Sequence, residues 1–187
     1  MMIIGLARVM LSSGEGWFRF DKLPPWLQGL FVILVLPLSL LPPVMLYRAG
    51  TGYGDLFVPG YGGKAWGAVA VAFFCMEMLT LAGTGWLTRQ VAATYKASMS
   101  RRDSYVLAIV APVPLWLSSL SLLVPSLALS VTMFLLGLAA ACALIYHGVF
   151  SICRLREELT AAAIMQTVMG VDLAAWAFLL LLVMMMS

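Results

Sequence analysis

Five long apolar runs dominate the sequence and constrain its fold more than any other feature. They cover Leu27–Tyr47, Ala65–Leu87, Tyr105–Pro125, Leu127–Phe150 and Ala163–Met186. Each has at least about 20 residues, which at ~1.5 Å rise per residue lets an α-helix cross ~30 Å of hydrocarbon. The runs predict an all-α integral membrane protein, a five-transmembrane-helix bundle that forms one membrane domain over residues 27–187. Residues 1–26 are predicted to be a cytoplasmic or interfacial N-terminal segment.

The positive charges predict the orientation of this bundle. Nine of the eleven Lys and Arg precede the first run or lie between the second and third or the fourth and fifth, and only Arg48 and Lys64 lie elsewhere. Cytoplasmic segments carry an excess of Lys and Arg, so the N-terminus is predicted to be cytoplasmic and the C-terminus external.

The composition excludes a soluble domain and a nucleic-acid partner. With 63% hydrophobic and 10% charged residues and a mean hydropathy of +1.02, the chain lacks the polar residues that would cover a soluble globule. The net charge of +3 is explained by basic residues placed where anionic lipids attract them. The lipid bilayer is therefore the predicted partner.

Prolines interrupt two of the five runs. Each proline removes a backbone donor and blocks the carbonyl four residues earlier, so the first and third spans are predicted to be bent or broken and to pack inside the bundle. The helix-bending residues are Pro37, Pro42, Pro43, Pro112 and Pro114. Small residues four apart, such as Gly137 with Ala141 and Gly170 with Ala174, are a weaker sign of close helix packing.

Two acidic residues, Glu77 and Asp172, lie near the middle of predicted spans, where an ionised carboxylate costs about 2.5–3.5 kcal/mol or more. Glu77 shares a helical face with Thr80 and Thr84. One hypothesis is a proton-handling or ion-handling site, or a polar binding cleft, formed by these four residues. The other is that each acid is neutral and joins neighbouring helices through hydrogen bonds.

Other motifs give no prediction of a catalytic, metal or cofactor site. The sequence Gly50–Asp55, in a predicted outer loop from Arg48 to Lys64, partly matches a potassium-channel filter, but a flexible glycine-rich turn explains it better. No Cys or His pair has metal-ligand spacing, and no nucleophile motif is present. Cys153, beside Arg154, is interpreted as a small buried side chain, with lipidation as the alternative.

Several stretches resemble the Yip (Ypt-interacting protein) domain family, in its bacterial branch. Leu36–Pro43 is similar to the family's first span, Ala111–Leu120 with Val124–Leu127 to its third, and Leu135–Leu138 with Tyr146–Val149 to its fourth. The resemblance implies five spans with the N-terminus inside. Eukaryotic relatives have a long cytosolic N-terminus and engage small GTPases from the cytosol, and the resemblance is not expected to extend to that segment or to those partners.

These observations together predict a non-enzymatic multi-pass protein of the inner (cytoplasmic) membrane, without a cofactor. Its expected role is to organise membrane components, or to assist their trafficking or homeostasis, through contacts with lipid, with other membrane proteins or with further copies of itself. The alternative is a small transporter or ion channel that uses Glu77 and Asp172. A polar path joining the two acids would favour transport, whereas apolar grooves would favour the organising role.

Overall fold

The computed structural model describes residues 37–155 and 157–186, with side chains described as far as residue 178. This part of the chain is helical and contains no strand. The predicted N-terminal segment and the first ten residues of the first apolar run lie outside the described residues. The elements in chain order are α1 (Leu41–Phe57), α2 (Trp66–Thr94), α3 (Arg101–Val110), α4 (Val113–Ser118), a 3₁₀ helix (Ser119–Leu123), α5 (Leu127–Ile152) and α6 (Glu158–Met186).

Four helical segments within the described residues are long and apolar enough to cross a membrane. They are Trp66–Thr94, Arg101–Leu123, Leu127–Ile152 and Glu158–Phe178, and the second combines α3, α4 and the 3₁₀ helix. These four segments overlap the last four predicted runs. The protein is therefore a multi-pass helical membrane protein.

Helix α1 differs from the prediction at its C-terminal end. The first span was expected to end at Tyr47 and to be followed by a loop, but the helix continues to Phe57, so the predicted loop is wrong over residues 48–57. Pro42 and Pro43 lie at the start of α1, where a missing N–H removes no bond within the helix. Gly50–Asp55 is consequently helical, a backbone that cannot present a row of carbonyl oxygens to an ion.

The third membrane segment is broken at Ala111 and Pro112. Helix α3 ends at Val110, and α4 begins at Val113 with Pro114 in its first turn. After one and a half turns α4 passes into the 3₁₀ helix, which ends at Leu123. The third segment is therefore interrupted at the prolines, as the sequence predicts.

Helices α2 and α5 end in the same way. The N–H of Ala97 donates to the carbonyl of Ala92 at 2.9 Å, and the N–H of Leu155 donates to the carbonyl of Phe150 at 3.1 Å. Both bonds are the long-range bond of a Schellman motif, which requires a left-handed residue just after the helix. Lys96 (φ 57°) and Arg154 (φ 49°) adopt that conformation without being glycine.

These helix ends lie at one end of the bundle, which we call the basic end (residues 89–104 and 149–155). Asp103, in the first turn of α3, lies close enough to Cys153 to act on its thiol electrostatically. Ser100 caps α3 by accepting a hydrogen bond from the Asp103 N–H at 3.1 Å. At the opposite end, the Tyr53 hydroxyl of α1 donates to the carbonyl of Leu122.

An apolar core fills the bundle near the basic end. Its members come from α2, α3, α4, α5 and α6, and the most buried of them include Ala92, Leu107, Val149, Ile164 and Val168. Helix α5 approaches α4 closely at Gly137, where an added Cβ would lie 3.0 Å from the Pro114 carbonyl oxygen. Gly170, by contrast, has no atom within 4 Å of an added Cβ.

Candidate functional site

A cavity of about 370 Å³ lies among the helices. Side chains of α1, α2, α5 and α6 line it, together with both halves of the broken third segment. The lining is mainly aliphatic and aromatic. Among the described residues that line the cavity, Glu77 and Asp172 are the only ones with an ionisable acid or base, and no Lys, Arg or His faces it.

The structure brings the four predicted site residues together. Glu77, Thr80 and Thr84 of α2 and Asp172 of α6 all line this one cavity. The three α2 residues share one helical face because they are separated by three and four positions. What these residues do remains a prediction, but their convergence makes the cavity the candidate functional site.

Asp172 is held by a hydrogen bond between helices. Its Oδ1 lies 2.8 Å from the Thr84 hydroxyl, which also lies 2.8 Å from the carbonyl oxygen of Thr80. A hydroxyl has one hydrogen to donate. The Thr84 hydroxyl is therefore shared between two acceptors, Asp172 Oδ1 and the Thr80 carbonyl.

Glu77 has no such partner. Its side chain is only 4% exposed, yet neither carboxyl oxygen has a hydrogen bond to any described residue. The Trp116 indole lies beside the carboxyl without reaching hydrogen-bond geometry. Nearby hydroxyls are already used, since Thr80 donates to the Met76 carbonyl at 2.9 Å. A buried carboxyl group without a partner is costly and requires an explanation.

Aromatic side chains of the site were not predicted from the sequence. Phe73 lies one turn before Glu77, and Trp176 lies one turn after Asp172. Their rings meet edge to face with centroids 5.0 Å apart, and both line the cavity. Trp116, only 2% exposed, lines it from the broken segment. Four-residue spacing from each acid is the sequence signal that points to Phe73 and Trp176.

The prolines predicted to bend the helices are distributed differently. Pro42 of α1 and Pro112, at the break of the third segment, line the cavity. Pro114 instead lies against Gly137 of α5, Pro43 is buried at the start of α1, and Pro37 is exposed. The break at Pro112 thus coincides with one wall of the site.

Cys153 lies outside the membrane-spanning helices, just after α5. Burial raises the pKa of its thiol to about 11, with a further contribution from the Asp103 carboxylate. Since the thiolate is the reactive form, Cys153 is a poor nucleophile at neutral pH. This result favours the interpretation of Cys153 as a packed side chain over its lipidation.

No group of three or more His, Cys, Asp or Glu that could hold a metal ion occurs within the residues described. The arrangement therefore offers two carboxyl groups, several hydroxyls and aromatic rings inside an otherwise apolar cavity. Such a site can bind a partly polar molecule by hydrogen bonding and charge.

The chain matches the model of a known protein family. The family model described as the Yip1 domain matches residues 7–186. No curated protein and no solved structure matches the chain.

Proposed function

Because the match extends over nearly the whole chain, the chain belongs to the Yip1 domain family, and we propose that it is a non-enzymatic protein of the inner membrane. Its role is to organise other membrane components, or to assist their trafficking or homeostasis, by direct contacts with lipid or protein. Contacts with other membrane proteins or with further copies of the chain belong to the same proposal.

The observation that carries this proposal is the chemistry of the cavity. Most of its wall is apolar, and three of its lining side chains, Val131, Phe134 and Leu173, are themselves 42–49% exposed on the outer surface. On this proposal the cavity opens toward lipid at these exposed side chains. Ligand sites of a few hundred cubic ångströms are commonly of this kind, with an apolar wall and few polar groups.

We test this function by filling the cavity. Leu115 lines it, whereas Leu117, two residues later, is 45% exposed and does not. Leu115→Trp should abolish the ability of the protein to restore membrane lipid composition in cells that lack it, and Leu117→Trp should restore it as wild type does. The readout is quantitative lipid analysis at matched protein level. Full restoration by Leu115→Trp would refute the proposal.

The five-span topology is part of the proposal and gives its own prediction. Reporters placed after Lys96 and Arg156 should be cytoplasmic, while reporters at Gly60 and the C-terminus should be external. Gly60 is suitable because it lies in an exposed turn at φ 86°, whereas Gly54 lies within α1. The excess of positive charge at the basic end supports this orientation. A cytoplasmic C-terminus would contradict the count of five.

The alternative function, a small transporter or ion channel, receives less support. Glu77 and Asp172 do line one cavity, as a transport site would need. However, the remaining wall is mainly apolar, and a conducting path requires polar groups or water along its length. Proton flux in reconstituted vesicles is the measurement that separates the two functions.

A further inference from the structure

The carboxyl group of Glu77 requires a partner that the described part of the chain does not supply. It is 4% exposed, and both oxygens lack a hydrogen bond there. Thr80 and Thr84 cannot satisfy it, because their hydroxyls donate to the carbonyls of Met76 and Thr80 or contact Asp172. The Trp116 indole lies beside the carboxyl, but no bond of hydrogen-bond geometry joins them, so both Glu77 oxygens can accept from a bound molecule.

The charge of the cavity selects the type of donor. Two acidic side chains face it, and no described basic side chain lines it. An anionic group such as a phosphate would be repelled by any ionised carboxylate, whereas a cation would gain strongly from pairing in an apolar environment. Charge complementarity therefore favours a cationic group.

The aromatic side chains favour the same group. Trp116 lies beside Glu77, and Phe73 is on the same face of α2 one turn earlier. Trp176 contacts Phe73 with ring centroids 5.0 Å apart. Aromatic faces attract ammonium groups, and they do so most strongly where water is excluded. Carboxyl and aromatic groups together are typical of a site that binds an alkylammonium ion.

The rest of the cavity fits an apolar chain. From Glu77 the wall continues along aliphatic and aromatic side chains to Val131, Phe134 and Leu173, which are exposed at the lipid-facing surface. A volume of about 370 Å³ is at the lower end of the range for ligand sites. One hydrocarbon chain fits this space.

We infer that the cavity binds a single-chain lipophilic amine, with its protonated amino group at the Glu77 carboxylate and its alkyl chain along the apolar wall. Asp172, held by Thr84, adds a second carboxyl group to the same cavity. This inference rests on the proposed function, since it takes the cavity to be the point of contact with membrane components and names the class of component.

The test measures binding of n-dodecylamine to the full-length protein in phosphatidylcholine nanodiscs at pH 7, with the signal of empty nanodiscs subtracted. The amine should bind saturably, and n-dodecanol, with the same chain and no charge, should bind at least about tenfold more weakly. A hydrogen bond to a charged group is worth ~1.5–3 kcal/mol, which corresponds to about tenfold to a hundredfold in affinity. Equal binding of amine and alcohol would overturn the inference.

Variants assign the binding to Glu77. Glu77→Gln should weaken amine binding at least about tenfold and leave dodecanol binding unchanged, because it removes the charge and keeps the shape. Glu157→Gln is the matched control, since Glu157 is exposed and lies outside the spanning helices, and it should bind the amine as wild type does. Equal amine affinity of the two variants would refute the assignment.

The two proposals can fail separately. If dodecylamine does not bind but Leu115→Trp still abolishes the effect on lipid composition, the lipophilic amine is wrong and the proposed function stands. If the amine binds through Glu77 but Leu115→Trp restores lipid composition fully, the site exists and the proposed function is wrong.

Discussion

The basic end of the bundle and the cavity differ in how their backbone and ionisable groups are paired. At the basic end, Schellman bonds satisfy the last carbonyls of α2 and α5, and Ser100 satisfies an N–H at the start of α3. The buried hydroxyl of Ser151, a neutral group, is the exception there, since it has no partner among the described residues. In the cavity, Glu77 is buried without a hydrogen-bond partner among the described residues. A protein gains stability where buried polar groups are paired, and it loses stability where they are not. The comparison assigns stability to the basic end and ligand recognition to the cavity.

The largest expected effect tests whether the core at the basic end carries stability. Ile164 is fully buried there, so Ile164→Ala should destabilise the fold by about 2–5 kcal/mol through lost contacts and a residual cavity. Thermal unfolding in detergent measures the change. Leu159→Ala, on the same helix at a position 84% exposed, is the control and should change the melting temperature little. Equal changes in melting temperature for the two substitutions would show that the core at the basic end does not carry the stability of the fold.

A smaller effect is expected where α5 meets the broken segment. Gly137→Val would place its Cβ 3.0 Å from the Pro114 carbonyl oxygen and 3.2 Å from Ser118 Cβ. Overpacking of this kind costs about 1–3 kcal/mol. Gly170→Val is the matched control, because nothing lies within 4 Å of its added Cβ. A melting temperature for Gly137→Val equal to that of the control would show that this contact is loose.

Cys153 gives a chemical measure of packing at the basic end. In a variant with Cys75 and Cys142 replaced by Ser, alkylation of Cys153 should reach half its maximal rate near pH 11, because burial raises the pKa of the thiol and Asp103 raises it further. Asp103→Asn should move this midpoint to lower pH. A midpoint near the ordinary value of about 8.5 would indicate an open basic end.

The same shift has a consequence for stability. The folded protein keeps the Cys153 proton over a pH range in which the unfolded chain has released it. This contribution is therefore complete below about pH 8.5 and is lost as the pH rises toward 11. The single-cysteine variant should accordingly unfold more easily at pH 10 than at pH 7.5, and replacing Cys153 by Ala should reduce that difference.

Much of the fold was predictable because long apolar runs have few alternatives in a membrane. Helices α2, α5 and α6 begin and end within a few residues of the predicted runs or extend them. The end of α1 was not predictable in the same way. Gly50 suggested a turn, but it lies in a helix, where an added Cβ would be 2.1 Å from the Trp66 ring. Gly50 therefore allows α1 to pack closely against Trp66. The sequence alone does not distinguish a glycine that forms a turn from a glycine that allows close packing.

The site was predictable to the extent that it depends on rare residues. An acid inside an apolar run is unusual, so Glu77 and Asp172 were identified, and helical spacing added Thr80 and Thr84. Phe73, Trp116 and Trp176 were not identified, because aromatic residues are common in membrane helices on every face. Only the packing of α2, α6 and the broken segment decides which of them face the cavity.

The smallest expected effect on stability comes from the acids. Glu77→Gln keeps the shape, and Asp172→Asn keeps an oxygen that accepts the Thr84 hydrogen bond. Since both substitutions keep the size and shape of the side chain, both variants should unfold within about 1 kcal/mol of wild type. If the protein has the proposed organising role, neither the wild type nor either variant should conduct protons in reconstituted vesicles. A proton flux that is present in wild type and lost in either variant, at unchanged stability, would instead establish the transporter. Both substitutions leave the packing intact, so they should stop the flux only if the acid must bind and release a proton.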